Sequence, residues 1–181
     1  MVQIHPYLVH DKHESLTTVV EEVGEENFDL NKTVAIALEE VMKNLGETTV
    51  GLASNQLGFI RGRVFGIYNR QRNIQIFVNP KILNRSDEKT TQVEGCLSFP
   101  GVPLKVSRSN WIDVEYQDIS GKVHTGRIVG FDARVFQHEL DHLNGVRFYD
   151  VVSKMRKDAF MKKYNKLWKG RAVRKSLGGR P

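Results

Sequence analysis

The chain has 181 residues, 40% hydrophobic and 27% charged, which fits one soluble globular domain with or without an appendage and excludes wholesale disorder. One cysteine excludes an internal disulfide framework, and no apolar run approaches the ~18 residues that cross a bilayer. The net charge of +6 is uneven: Lys154 to Pro181 holds eleven Lys and Arg against Asp158, leaving the rest of the chain mildly acidic. A uniformly basic nucleic-acid-binding domain is therefore disfavoured, and neither DNA nor a membrane is an expected partner. Met1–Pro6 lacks the basic start and apolar core of a signal peptide, so a cytoplasmic or equivalent reducing compartment is expected.

The first predicted helix starts near Asp29, taken as N-cap, and carries Val34, Leu38, Val41 and Leu45 at helical spacing before Gly46. Short segments rich in β-branched and aromatic residues follow at Val50–Ala53, Val64–Tyr68, Ile74–Val78, Ile112–Tyr116 and Val123–Val129. Turn formers at Gln71–Asn73 and Asp118–Gly121 separate them. After Gly130 the period returns to helical through Val135, Phe136, Leu140 and Leu143, with Gly145 as the stop. A last amphipathic, lysine-rich helix is predicted over 151–168, with Phe160, Tyr164, Leu167 and Trp168 as its stripe, and a flexible basic tail over 169–181. The order helix, strands, helix, without regular strand–helix alternation, predicts an α+β fold of mostly antiparallel strands.

The chemistry concentrates in His138-Glu139-Leu140-Asp141-His142. Residues four apart share a helix face, so both imidazoles can reach one metal ion, and Glu139 lies beside them as a general base. In this composition the His-Glu-x-x-His pattern arises by chance with a probability on the order of 0.01. A catalytic metal needs a third protein ligand, and no histidine follows His142, while His5, His10, His13 and His124 are scattered upstream. The best candidate is the lone cysteine in Glu94-Gly95-Cys96-Leu97-Ser98. A third segment, Val50 to Gly58, has small residues that admit a ligand backbone and a glutamine, Gln56, whose amide can donate to an oxyanion.

Together these segments resemble the peptide deformylase family, which carries a glycine-rich motif ending in glutamine, Glu-Gly-Cys-Leu-Ser, and Gln-His-Glu-x-Asp-His in that order. They stand here at Gly51–Gln56, Glu94–Ser98 and Gln137–His142. The first departs from the family at Thr49, in place of a glycine, and at Ser54, in place of an alanine. The resemblance covers roughly residues 1–150 and implies that they form the catalytic domain, with the strands packed around a central metal-binding helix. It implies that the protein removes the formyl group from N-terminal formylmethionine of new polypeptides, releasing formate. It implies that Cys96, His138 and His142 bind one divalent metal, natively Fe2+ in many members and often Zn2+, Ni2+ or Co2+ in preparations. A metal-bound water would attack the formyl carbonyl with Glu139 as general base and acid, while Gln56 and the backbone N–H of Leu97 hold the oxyanion. Gly51 would pair with the substrate backbone, and the methionine would enter an apolar pocket near Val50, Phe131 and Val135. The family also suggests a Glu94–Arg108 ion pair. The basic tail is a candidate ribosome contact. Two rival readings are a zinc protease using the same helix and a ribosome- or nucleic-acid-binding protein with a structural metal. The residues fit a bacterial, organellar or viral source alike.

Overall fold

The structure, a computed structural model, describes residues 7–10, 12–46 and 49–177, with side chains described as far as Trp168. The expectations for Met1–Pro6 and for 178–181 lie outside the described residues. Helix α1 spans Phe28–Leu45 and ends at Gly46, whose φ of 62° suits a residue without Cβ. Asn27 stands at the N-cap position without a side-chain capping bond, and Asp29, expected there, is the second helical residue, where its carboxylate pairs with Lys32 at 2.8 Å.

Seven strands follow in chain order: β1 Gly51–Ala53, β2 Val64–Tyr68, β3 Ile74–Arg85, β4 Lys89–Glu94, β5 Leu104–Ser109, β6 Trp111–Gln117 and β7 Val123–Val129. Five form an antiparallel sheet in the order β1-β2-β3-β6-β7, and β4 and β5 form a separate antiparallel hairpin. Alternation along β2 and β3 sorts side chains to two faces. Val64, Ile76 and Val78 join Leu38 and Met42 of α1, whereas Phe65, Ile67 and Phe77 join Phe136 and Leu140 of helix α2, Gly130–Leu143. The sheet is thus the middle layer between the two helices.

Two strand expectations needed correction. β3 runs on to Arg85, past Asn79-Pro80, because Asn79 takes φ 48° and the register shifts there, so Pro80 costs no ladder bond. β4 and β5 were not expected: Lys89–Val93 is polar and exposed, without the alternation that marks a half-buried strand.

Helix α2 is enclosed by the sheet, by the hairpin and by Phe148, whose ring lies 5.8 Å from that of His138, and ten of its fourteen residues are buried. Helix α3 spans Lys154–Leu177, so it begins after the expected Val151 and continues past Trp168. Arg, Lys, Ala and Leu beyond Gly170 are strong helix formers, which accounts for the continuation. Phe160 and Tyr164 are buried and stack into an aromatic cluster with Phe99, Phe148 and Tyr149, which docks α3 on the body. Among the described residues no helix is long and apolar enough to cross a membrane.

Candidate metal centre

His138 and His142 lie one turn apart on α2, and Cys96 enters from the loop that follows β4, two residues after Glu94. One donor atom from each of the three lies within 4.8 Å of the others, with Cys96 Sγ 3.2 Å from His142 Nε2. All three side chains are buried. His138 Nδ1 donates to Glu94 Oε2 at 3.0 Å, which leaves the Nε2 lone pair free to ligate.

The electrostatics suit a cation. Burial alone disfavours a charged His138, but its bonds to Cys96 and Glu94 and the charge of Glu139 push its pKa up to about 10. Surroundings that hold a second proton there hold a metal ion by the same attraction. Burial, with His138 and Arg108 nearby, pushes His142 well below its ordinary value, towards the neutral form that ligates. The donor set and its surroundings therefore fit a divalent ion such as zinc or ferrous iron.

Glu94 organises this charge. Its Oε1 accepts from Arg108 Nε at 3.0 Å and Arg134 Nη1 at 2.6 Å, and its Oε2 accepts from Arg108 Nη2 at 3.0 Å as well as from His138. Burial would raise the Glu94 pKa, but His138 and Arg108 outweigh it and hold it at about 2. The expected Glu94–Arg108 pair is therefore present. Asp141 accepts from the other side of Arg108, through its Oδ2. Arg134 and Gln137 were missed. Arg134 also binds the carbonyls of Val106 and Thr90, and Gln137 pairs through both amide atoms with the Ser109 backbone. Arg134 could have been found as a charge one helical turn before His138 on the core-facing stripe.

Glu139 is almost fully buried, and burial pushes its carboxyl up to about 7. Its Oε2 is buried without a hydrogen-bond partner, while a Cβ added to Gly51 would lie 2.6 Å from its Oε1. Gly51 therefore makes room for this carboxylate. Gln56 sits in a single 3-10 turn, Ser54–Leu57; its Oε1 accepts from Ala53 N–H at 3.0 Å, and its Nε2 points at Ser98 Oγ, 3.2 Å, and Cys96 Sγ, 3.7 Å.

A cavity of about 580 Å3 opens onto these groups. Every residue expected to hold metal, act in the reaction or bind substrate lines it, except His142: Val50, Gly51, Gln56, Leu97, Phe131 and Val135 stand around Cys96, His138 and Glu139. Val135 is buried, whereas Val50 is 38% and Phe131 57% exposed, so those two stand at the mouth.

A buried cysteine with two imidazoles, an unpartnered carboxylate and an adjoining cleft is the equipment of a mononuclear metal-dependent hydrolase. A sequence model described as polypeptide deformylase matches residues 6–158. A peptide deformylase of Brucella suis is 41% identical over 131 residues, 71% of this chain and 75% of that protein. A peptide deformylase-like protein of Rickettsia conorii is 36% identical over 137 residues, 74% of this chain and 75% of that protein. Among solved structures, peptide deformylase from Thermus thermophilus superposes with a TM-score of 0.80 at 33% identity, covering 89% of this chain and 93% of the other. Plasmodium falciparum peptide deformylase in complex with an inhibitor gives 0.77 at 34% identity, covering 90% and 99%. The chain belongs to the polypeptide deformylase family and is a hydrolase.

Proposed function

We propose that this protein removes the formyl group from N-terminal formylmethionine of newly made polypeptides, releasing formate. The observation that carries this reading is the meeting, in one cavity, of Cys96, His138, the unpartnered carboxylate of Glu139 and the Gln56 amide. Residues 1–150 form the catalytic domain in this reading.

A formamide is resonance-stabilised, so its hydrolysis needs an activated water and relief of charge on the carbonyl oxygen. A divalent ion held by Cys96 Sγ and the two imidazoles supplies Lewis acidity and lowers the pKa of water. Glu139 Oε2 takes the proton from the attacking water and delivers it to the leaving amine nitrogen. Its raised pKa suits both transfers near neutral pH. Gln56 Nε2 and the Leu97 N–H donate to the formyl oxygen as negative charge develops, each contributing roughly 3 kcal/mol. The backbone at Gly51 pairs with the substrate as an added strand. The methionine side chain is buried against Val135, with Val50 and Phe131 excluding water at the mouth.

Ferrous iron is the proposed resident ion, with zinc, nickel or cobalt substituting in preparations, and activity per metal atom of each form checks it. A nascent-chain substrate favours the cytoplasm or an equivalent reducing compartment, and the basic C-terminal segment is the proposed contact with the ribosome. Formate release from formyl-Met-Ala-Ser, with acetyl-Met-Ala-Ser as control, tests the activity. Turnover of the formyl peptide alone is expected; a metal-loaded protein that releases no formate refutes the reading.

A further inference from the structure

The Ser54–Leu57 turn carries two buried amides on neighbouring residues, and Gln56 alone has a part in the reaction proposed above. Asn55 is fully buried. Its Nδ2 has two hydrogens, and both are used on backbone carbonyls from distant parts of the chain, Ser15 at 3.0 Å and His142 at 2.5 Å. Ser15 Oγ returns a bond to the Asn55 carbonyl at 2.7 Å, and Val9 N–H donates to the Gln56 carbonyl at 2.9 Å. The His142 carbonyl belongs to the last turn of α2, where carbonyls lack intrahelical partners; it also accepts from Gly145 N–H at 2.9 Å. One side chain thus joins the turn that bears Gln56 to the backbone of a proposed metal ligand.

Gln56 depends on that turn for its aim. Its Oε1 is held by Ala53 N–H within the same segment, so Nε2 moves with the segment. We infer that Asn55 is a positioning residue, which fixes the Gln56 amide against the metal ligands by tying its turn to the His142 carbonyl and to Ser15. This deepens the deformylase reading and rests on it. Donors to a developing oxyanion lose their value when misplaced by a fraction of an ångström, which makes such a tie matter to the rate.

The full-length, cobalt-loaded protein is used for the test. Asn55→Ala should lower kcat on formyl-Met-Ala-Ser about tenfold, the effect of lost buried hydrogen bonds, with KM changed less than about twofold because the cavity walls are untouched. In a Gln56→Ala background the same substitution should lower kcat by less than about twofold, since the group it positions is gone. Asn55→Ser, which keeps a shorter donor, should fall between, and it takes the place of Asn55→Ala in the cycle if that variant does not fold. Release of Co2+ to a chelator reads the His142 arm without turnover, and should be several-fold faster from the variant than from wild type. Losses that simply multiply in the double variant, or Co2+ release at the wild-type rate, overturn the inference. Absence of formate release from the wild-type protein would instead sink the deformylase reading, and Co2+ release would then decide the role of Asn55 alone.

Discussion

Replacing Glu94 by alanine strikes the side chain on which the site's charge balance rests. Four bonds are lost: two from Arg108, one from Arg134 and one from His138. Arg108 keeps Asp141, and Arg134 keeps the carbonyls of Val106 and Thr90, so neither buried guanidinium is stranded outright. Breaking a buried ion pair from one side costs about 3–5 kcal/mol, and the surviving bonds place Glu94→Ala at the lower end. At 2–4 °C per kcal/mol for a protein of this size, Tm should fall by roughly 6–12 °C. His138 also loses the acceptor that orients its ring, a loss that typically weakens metal binding about 10–100-fold. Thermal unfolding and competition against a chelator read the two effects. Glu94→Gln, which keeps the shape but turns an amide N–H towards donors, should destabilise as well. If Glu94→Ala melts within about 2 °C of wild type and holds metal equally well, Glu94 is not the organiser described here.

Glu139→Ala should retain its metal, read by elemental analysis, while kcat falls ~10²–10⁴-fold; His142→Ala should lose the metal itself. Gly51→Ala brings a Cβ against the Glu139 carboxylate, so kcat should drop at least about tenfold with metal content unchanged; wild-type turnover would remove that steric account. Burial would raise the pKa of Asp150, but Arg147 and Lys157 bind it and leave it lowered, so its stabilising effect is complete above the unfolded value of about 4 and is lost as pH falls through the lower folded value. Asp150→Asn should therefore cost about 1 kcal/mol of stability at pH 6, read as a Tm lowered by roughly 2–4 °C, a loss that shrinks below pH 4, and a pH-independent difference would contradict the ion-pair account. Truncation after Trp168 keeps the buried Phe160 and Tyr164, so short-peptide turnover should persist while ribosome co-sedimentation weakens in a salt-dependent way. Equal co-sedimentation of both forms would discard the ribosome contact.

How far the fold could be read depended on burial. β2 and β7 were placed correctly from β-branched and aromatic runs between turn formers, and α1 and α2 from apolar residues at helical spacing. The β4–β5 hairpin escaped because its first strand has one buried residue, Glu94, and that residue is charged. Its purpose is to carry Glu94, Arg108 and the cysteine loop to the face of α2, and a polar strand with such a task has no hydrophobic period to betray it. The extension of β3 was hidden by Asn79-Pro80, which reads as a stop but is accommodated by a bulge.

The site divides along the same line. Both histidines and Glu139 were legible because one helix sets their spacing, and a ligand pair four residues apart is a local pattern. Cys96 was reached by elimination, through the lack of another candidate, and by the resemblance of Glu94–Ser98 to a family motif. Asn55 and Gln137 carried no such signal of their roles, and Arg134 only its place one helical turn before His138, since their partners are mostly backbone carbonyls on segments far away in sequence. The buried Arg63 is of the same kind: it donates to the Leu143 carbonyl at 2.9 Å and to Asn144 Oδ1 at 2.6 Å, placing a cation at the C-terminus of α2. Each of these side chains spans two elements that the chain brings together only on folding. A metal ligand must come from a short list of residue types, here cysteine and histidine, whereas a brace need only donate to a carbonyl, and many residue types can do that. The reacting groups are therefore written in residue identity, and the precision with which they meet is written in tertiary geometry.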